Sequence, residues 1–361
     1  MTRLRLLLTT DGVGGVWTYS LELARALRPM GVETTVAVAG PAPSRAQLEE
    51  ASAFRLVQTG LPLEWVETSP DAVRRAGQEI VALANREAAD IVQVSSAALL
   101  AGYNSSIPAI AVQHSCVASW WEAVKEGPLP DELQWRRDLV EAGLRRASAV
   151  VAPSAAFAAE TTRLYGVPTT AVYNGRHTEG RSDIPPGEFV ITAGRLWDEG
   201  KNVAVLDAAA RMMHTPFLAA GPVSGPNGAS VQLENLELLG ELEPPRLQGL
   251  FAASPIYASA ALYEPFGLSV IEAAQAGCAL VLSDIPTHRE IWGDAAVFVP
   301  ARHPAGFAAA IEELMDSPAE RERLGELARR RSAIFTPERM AHGMADIYAL
   351  VGSAAKLAGA A

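Results

Sequence analysis

The sequence predicts an α/β protein with two doubly wound, Rossmann-like domains. At 361 residues the chain is long enough for two domains, each with its own core. Short apolar runs alternate with longer helical patterns, which is typical of parallel sheets with crossover helices. The pattern stops in a polar stretch at 176–188 and then restarts. We therefore predict a first domain over 1–180 and a second over 181–336, facing each other across a deep cleft, with a last helix in 337–361.

Six apolar runs predict the strands of the first domain, at residues 4–9, 35–39, 91–94, 109–113, 149–152 and 171–173. Apolar residues at helical spacing predict helices at 15–28, 69–88 and 130–146. Pro70 at the first helical position and Asp71 in the first turn suit the start of the second helix. The turn dipeptide Asn174-Gly175 ends the last strand. The stretch from 41 to 68 is less legible, and no element is predicted there.

The second domain repeats the alternation. Its strands are predicted at 189–193, 216–220, 236–239, 254–260, 279–282 and 296–299. Its helices are predicted at 201–213, 268–276, 304–315 and 319–334, and the last helix of the chain is predicted at 337–350. The alanine-rich end at 354–361 is expected to fray.

Composition excludes several classes of protein. A formal net charge of −11 argues against nucleic acid as a partner, since phosphate backbones need clustered Lys and Arg. No run of 18 apolar residues predicts a membrane span, and the N-terminal apolar run is too short for a signal peptide. Cys116 and Cys278 fit no metal or disulfide pattern, and the histidines show no metal-ligand spacing. We predict a cytoplasmic protein without a metal.

A basic helix face leaves peripheral association with the inner face of the membrane open. A solvated face is the default interpretation of such a cluster. It consists of Arg136, Arg137, Arg145 and Arg146.

Polar, charged and glycine residues follow the predicted strands, where open parallel sheets bind ligands. They are Asp11-Gly12-Val13-Gly14-Gly15, His114, Gly194-Arg195, Gly221, Glu264 and Ser283-Asp284. Because the rest of the pattern is apolar, the position of these residues at strand ends predicts a ligand site.

Two carboxylates beside a helix N-terminus form the central candidate site. Glu264 lies in the loop after a strand, and Glu272 lies one turn into the helix that follows. Between them, the backbone N–H groups of Phe266, Gly267 and Leu268 suit an anion. Carboxylates accept from hydroxyls while amides hold a phosphate, and a nucleotide sugar carries both groups.

A glycine loop follows the first strand of the first domain, and a basic loop follows the first strand of the second domain. Gly14-Gly15 lets a ligand approach the backbone, although a tight turn without a ligand explains it equally well, and it is not the dinucleotide fingerprint. Arg195 and Lys201 suit a diphosphate without a metal; the alternative is a solvated loop paired internally with Asp198 and Glu199.

A lone histidine is more often structural, but His114 directly follows a strand and faces the predicted cleft, which strengthens the case for a functional role. Trp120-Trp121 nearby suit a stacking platform, but packing under the loop is the favoured interpretation.

The segment Glu264-Pro265-Phe266-Gly267 with Glu272 resembles the E-x7-E motif of retaining glycosyltransferases of family four, which have the GT-B fold. The likeness extends over nearly the whole chain. Other matching segments are Gly14-Gly15, His114, Asn174-Gly175, Gly194-Arg195-Leu196, Lys201-Asn202, Gly277-Cys278-Ala279 and Glu290.

The resemblance implies a role for each matched donor-side residue. Arg195 and Lys201, after Gly194, would neutralise the donor diphosphate in place of a metal. Glu264 would accept from hydroxyls of the transferred sugar, and Glu272 would hold the ribose hydroxyls. The backbone N–H groups of Phe266, Gly267 and Leu268 would bind the sugar or phosphate, and the base would lie near Gly240 and Leu242.

On the other domain, Gly15 would approach the phosphate and His114 would contact the sugar near its anomeric centre. The last helix would cross back onto the first domain. The implied activity is retaining, metal-independent transfer of a hexose from a nucleotide diphosphate sugar to a small-molecule, glycan or lipid acceptor. UDP- or GDP-sugars are the expected donors, and no further cofactor is expected. Asp11 is the other candidate catalytic group.

Alternative functions remain open, both enzymatic and non-enzymatic. Another GT-B activity, an epimerase or a phosphorylase, is one; a non-catalytic nucleotide-sugar-binding protein is another. The chain departs from the family pattern after Asn174-Gly175, where Arg176-His177 replaces the usual Val/Ile-Asp. That departure puts the conformation of the linker in question.

Overall fold

The computed structural model describes residues 4–178, 187–253 and 255–359. The chain divides into two compact units: one comprises the residues up to Gly175 together with those from Pro337 onward, and the other comprises Arg176–Thr336. The boundary predicted after residue 180 lies outside the described residues. Within the described part of the chain, no helix is long and apolar enough to cross a bilayer.

The first unit is built on a parallel sheet whose described strands run in the order β3-β2-β1-β4-β5-β6-β7. The strands are β1 (Leu4–Asp11), β2 (Val32–Ala39), β3 (Arg55–Gln58), β4 (Ile91–Val94), β5 (Ala109–Val112), β6 (Ala149–Ala152) and β7 (Thr170–Ala171). β2 and β4 flank β1, so the strand order reverses there. Ligands of doubly wound sheets bind outside the carboxyl ends of the strands at such a reversal.

Helices cover this sheet. They are α1 (Gly15–Leu27), α2 (Arg45–Glu50), α3 (Pro70–Arg86), α4 (Val117–Val124), α5 (Asp131–Arg146), α6 (Ala155–Tyr165) and the last helix of the chain, α13 (Pro337–Gly359). The last helix buries Met340, Met344 and Tyr348 in a core shared with Leu6 and Leu8 of β1. Their burial attaches this helix to the first unit.

The second unit repeats the architecture with strand order β10-β9-β8-β11-β12-β13, again parallel. Its described strands are β8 (Val190–Ala193), β9 (Phe217–Ala220), β10 (Glu237–Gly240), β11 (Ile256–Ser259), β12 (Ala279–Ser283) and β13 (Val297–Val299). Its described helices are α7 (Val203–Ala210), α8 (Pro244–Ala253), α9 (Leu268–Ala276), α10 (Pro286–Trp292), α11 (Pro304–Asp316) and α12 (Pro318–Ser332). Here the order reverses at β8, between β9 and β11.

The structure confirms the predicted pair of Rossmann-like α/β domains and moves several element bounds. The helix predicted at 201–213 begins only at Val203, because a 3₁₀ turn at Glu199–Lys201 precedes it. The strand predicted at 254–260 is shorter at both ends, and residue 254 lies outside the described residues. The last helix, predicted to end at 350, continues to Gly359. α2, β3, α4, α6, α8 and α10 were not predicted.

Candidate active site

An ion pair joins two loops at the carboxyl edge of the second sheet. Lys201 lies at the end of the 3₁₀ turn that follows β8, and Glu264 lies in the loop between β11 and α9. The Nζ atom of Lys201 donates to Oε2 of Glu264, with 21% and 10% of the two side chains exposed. The backbone N–H of Leu262 also donates to the Gly200 carbonyl at 2.9 Å. Because β8 and β11 are neighbours at the strand-order reversal, the pair stands where a ligand is expected.

The ion pair determines the charge of Glu264. Burial alone would raise the pKa of this carboxyl, but the Lys201 ammonium, with smaller contributions from His288 and Arg195, outweighs burial, so its pKa lies below the ordinary value. Glu264 is therefore an ionised hydrogen-bond acceptor at neutral pH. A carboxylate held by a lysine accepts from hydroxyls more readily than it attacks carbon as a nucleophile.

Arg195 forms an ion pair with Asp198 of its own loop. This pairing was the alternative to phosphate binding in the interpretation of the sequence. The Nη2 atom of Arg195 donates to Oδ2 of Asp198 at 2.9 Å, and the guanidinium lies 5.7 Å from the ring centre of Trp197. Asp198 also accepts from the N–H of Gly200 at 2.9 Å, which fixes the turn that presents Lys201. The internal pairing orders the loop and leaves 38% of the Arg195 side chain exposed.

A small cavity unites the predicted donor-phosphate residues. It is lined by Gly194, Arg195, Lys201, Glu264 and Ser269, among others. Its volume is only about 10 Å³, close to the minimum needed for one water molecule. The structure thus brings these predicted residues together, and the Lys201–Glu264 pair spans the space between their loops.

The loop before α9 contains backbone N–H groups that no acceptor in the described part of the chain satisfies. Gly267 caps the helix with φ of 95°, a conformation that L side chains rarely adopt. Within the described residues, the N–H groups of Phe266, Gly267 and Leu268 have no protein acceptor. The Phe266 ring is buried against Phe335 at 5.6 Å between ring centres, which anchors the loop. These three amides are the donors predicted from the sequence.

Glu272, in the second turn of α9, is paired with a residue from the start of the second unit. Nε of Arg176 donates to its Oε1 atom at 2.6 Å. Arg176 was predicted to lie in the linker, with no partner. The structure therefore adds this arginine to the site.

The predicted base-binding residues lie at the edge of the same sheet. Gly240 ends β10, and its carbonyl accepts from the N–H of Gly221 at 2.8 Å. Leu242 packs, partly buried, against the core. Adjacent strands lie about 4.8 Å apart, so β10 lies about 10 Å from β8 across β9. Gly240 and Leu242 thus follow β10 at the carboxyl ends of the strands, but they do not line the cavity beside Lys201.

In the first unit, the glycine loop joins β1 to α1. Gly14 has φ of 73° and caps α1, whose first residue is Gly15. Asp11 is 7% exposed, and its Oδ1 atom accepts from the N–H of Val13 at 2.8 Å. The structure therefore gives Asp11 a role in shaping the turn.

His114 follows β5 in the first unit, and its ring meets Tyr19 of α1 edge-on at 4.4 Å. Its Nε2 atom is buried and has no hydrogen-bond partner in the described part of the chain. Burial lowers the pKa of His114 to about 4. The imidazole is accordingly neutral at pH 7. Because Tyr19 lies one turn after Gly15, the contact brings the glycine-loop helix to the predicted histidine.

His288 is a buried residue of α10 in the second unit, and it was not among the predicted site residues. Its Nδ1 atom lies 2.9 Å from the Ser283 carbonyl, an acceptor, so Nδ1 carries the proton in the neutral ring. Its Nε2 atom is then an acceptor, and it has no partner among the described residues. Glu264 and Lys201 both influence its pKa, which burial lowers. The available signal was its position just after β12.

Most arginines of the predicted basic face bind acceptors within the chain, and the two tryptophans contact each other. Arg145 pairs with Glu141 at 2.8 Å, and Arg146 and Arg136 donate to backbone carbonyls at 2.6 and 3.1 Å. The rings of Trp120 and Trp121 are 6.4 Å apart and partly buried.

A cavity of about 400 Å³ lies elsewhere in the first unit, lined by Tyr103–Ala109 and the end of α13 among others. It is at the amino-terminal edge of β5, opposite the edge where parallel sheets bind ligands. Among the described residues, no group of three His, Cys, Asp or Glu side chains is arranged to hold a metal ion.

Comparison with known proteins finds two family matches. Residues 13–179 match Glycosyltransferase Family 4, and residues 228–331 match Glycosyl transferases group 1. Together they span most of the chain, including Gly14, His114, Glu264 and Glu272. Arg195 and Lys201 lie between the two matched regions.

Individual relatives agree with these matches. A glycogen synthase from Mycobacterium tuberculosis is 34% identical over 119 residues, which is 32% of this chain and 29% of that protein. The match thus spans under a third of the length of this curated relative. Sucrose-phosphate synthase from Thermosynechococcus elongatus has a similar fold, with a TM-score of 0.81 and 18% identity over 98% of this chain and 100% of that one. HepE from Anabaena, solved with UDP and glucose, has a TM-score of 0.69 and 17% identity over 96% and 99%.

The two Rossmann-like units, the loop geometry around Glu264 and the family matches lead to one assignment. The chain belongs to the glycosyltransferases of family four, with a C-terminal region that matches glycosyl transferases group 1.

Proposed function

We propose that this protein transfers a hexose from a nucleotide diphosphate sugar to a sugar, glycan or lipid acceptor. The observation that carries the proposal is the convergence of Gly194, Arg195, Lys201 and Glu264 around one cavity at the strand-order reversal of the second sheet. Cations and carboxylates placed together suit a ligand that has both phosphates and hydroxyls. The likeness to HepE, which was solved with UDP and glucose, supports a nucleotide-sugar donor.

The cations stabilise the leaving group in this proposal. Lys201 and Arg195 would bind the donor diphosphate and neutralise the charge that grows on it as the sugar departs. The free N–H groups of the loop before α9 would add hydrogen bonds to the sugar or phosphate. These donors take the place that a metal ion holds in other transferases, so we propose a metal-independent reaction.

The carboxylates orient the donor. Glu264, ionised by its contact with Lys201, would accept from hydroxyls of the transferred hexose. Glu272 would accept from the ribose hydroxyls, and Gly240 and Leu242 would lie near the base. Gly15 would approach the phosphate. His114, neutral because of its low pKa, would contact the sugar as a hydrogen-bonding group without adding positive charge near the anomeric carbon.

We propose that transfer proceeds with retention on one face of the sugar. The bond between the anomeric carbon and the diphosphate oxygen breaks, and a bond to the acceptor oxygen forms on the same face. The acceptor proton passes to the departing diphosphate oxygen. The ion pair of Glu264 with Lys201 supports this route over a double displacement, which requires a carboxylate poised to attack carbon.

A binding experiment with three variants tests the assigned roles. UDP-, GDP- and ADP-sugars are first screened for selective thermal stabilisation, and the best nucleotide is then titrated by calorimetry. We expect Glu272→Ala to weaken nucleotide binding about tenfold, and Glu264→Ala to lower turnover more than binding. The control Glu313→Ala, on an exposed position of α11, should change neither. Unchanged nucleotide affinity in Glu272→Ala would show that the ribose role is wrong.

A further inference from the structure

Arg176 begins the second unit in a segment whose backbone is held independently of its side chain. Its N–H donates to the Phe335 carbonyl at 3.0 Å, and its carbonyl accepts from Nε2 of Gln275 at 2.7 Å. The Thr178 hydroxyl donates to Oε1 of the same glutamine, also at 2.7 Å. The segment is therefore fastened to α9 by main-chain contacts and a threonine, whatever side chain stands at position 176.

The side chain of Arg176 reaches the carboxylate assigned to ribose. Its Nε atom donates to Oε1 of Glu272 at 2.6 Å, and only 13% and 14% of the two side chains are exposed. Water competes poorly at that depth, so this charge-assisted hydrogen bond is stronger than a surface ion pair. The two residues are 96 positions apart in sequence, and their loops meet only in the folded unit.

Resting on the proposed function, we propose that Arg176 is an intramolecular competitor for the ribose-binding carboxylate and sets the affinity for ribonucleoside diphosphates. Ribose hydroxyls need the carboxylate oxygens of Glu272, and Arg176 already occupies one of them. A nucleotide must displace the guanidinium or share the carboxylate with it. Binding is weaker than an unpaired carboxylate would allow.

Other cations of the second unit are also paired with carboxylates, and this pairing favours some ligands over others. Lys201 is paired with Glu264, and Arg195 with Asp198, in the same unit. A ligand with phosphates alone satisfies only the cations and leaves buried carboxylates without partners, which is unfavourable. A ligand with phosphates and ribose hydroxyls satisfies both members of the pairs. Arg176 extends this discrimination to the ribose.

Calorimetric titration of UDP, GDP and ADP into wild type and Arg176→Ala tests the inference. We expect the preferred nucleotide to bind the variant about tenfold more tightly, the effect of removing one competing charge-assisted hydrogen bond. Arg176→Lys, which keeps the charge, should remain within about threefold of wild type. Arg323→Ala breaks an exposed pair with Glu320 on α12 and is the matched control, with no change expected.

The same titrations with 2′,3′-dideoxynucleotides show where the effect arises. Without ribose hydroxyls to compete, the gain in Arg176→Ala should disappear. Weaker binding in Arg176→Ala, or an equal gain with the dideoxynucleotide, would overturn the inference. Arg176→Gln removes the charge but keeps a polar side chain. Urea midpoints measured for every variant show whether a change in affinity comes from binding or from a folding defect. If no nucleoside diphosphate bound wild type or variants, the proposed function would be wrong as well; wild-type binding without the gain overturns this inference alone.

Discussion

Replacing Lys201 by Met tests whether the ion pair with Glu264 controls the central site. Removing one partner of a fully buried pair costs about 3–5 kcal/mol, because the other charge remains buried alone. Here the two side chains retain 21% and 10% exposure, so we expect a loss of about 2–4 kcal/mol in the unfolding free energy at pH 7. Arg323→Met, which breaks an exposed pair on α12, should lose less than about 1 kcal/mol.

The pH dependence of that loss has a definite sign. In wild type the folded-state pKa of Glu264 is below its unfolded value, so its stabilising contribution exists at neutral pH and is lost as pH falls through the folded pKa. Without Lys201, burial dominates and raises this pKa, so the folded variant takes up a proton first on acidification. The gap between wild type and Lys201→Met should therefore narrow from pH 7 toward pH 5.

Urea unfolding of both proteins at the two pH values measures the gap, with the fluorescence of the buried Trp197 and Trp292 as the signal. A loss below about 1 kcal/mol at pH 7 would mean that the pair is in effect a surface contact. A gap that widens at pH 5 would contradict the assigned charge of Glu264. Either result would refute the reasoning about the site.

Three further predictions concern single positions. The folded-state pKa of His114 is about 4, below the ordinary 6.5, so acidification from pH 7 to 5 should lower the unfolding free energy of wild type by about 2 kcal/mol more than that of His114→Asn. Urea unfolding of both proteins at the two pH values measures this difference, and equal losses would contradict the prediction. Gly267→Ala forces φ of 95° on an L residue with Val270 at 3.1 Å, so unfolding should become about 1–2 kcal/mol easier; an unchanged melting temperature would exclude this strain. Tyr348→Phe leaves Gln93 without its 2.5 Å donor and should cost about 1–2 kcal/mol in calorimetric unfolding, whereas no cost would make that bond irrelevant to the docking of α13.

The elements that frame the site could be predicted from the sequence where local signals are strong. α9 was predicted with its observed bounds, Leu268–Ala276, because Gly267 and Gly277 stop it at both ends with left-handed backbone. The strand-end rule selected Gly194, Arg195 and Glu264, which the structure places around one cavity. In these cases a local pattern and the parallel-sheet geometry give the same answer.

Short elements escaped prediction for a physical reason. α4 has eight residues and α10 has seven, so each completes about two turns, too few to establish a 3.6-residue period. β3 has four residues, of which only two are apolar. Packing against the longer neighbours stabilises such segments more than their own propensity does.

Partners across loops could not be predicted at all. Nothing in the local sequence pairs Arg176 with Glu272, or orients Nδ1 of His288 toward Ser283. Sequence spacing places a residue at the end of a strand, but the folded loops decide which opposite charge it meets. Lys201 and Arg195 were predicted to bind phosphate, with pairing inside the loop to Asp198 as the alternative for Arg195. In the structure Lys201 contacts Glu264 and Arg195 contacts Asp198. Arg176, which was not predicted as a site residue, contacts Glu272.

The central claim is that the chain breaks the bond between a sugar and a nucleoside diphosphate. Release of the diphosphate from UDP-, GDP- and ADP-hexoses, with a mixture of sugar and lipid acceptors, measures it most directly. We predict release from one class of donor by wild type, loss of at least about a hundredfold in Glu264→Gln, and no loss in Glu313→Ala. Selective binding of a nucleotide sugar without release under any acceptor condition would contradict the claim and identify a nucleotide-sugar-binding protein.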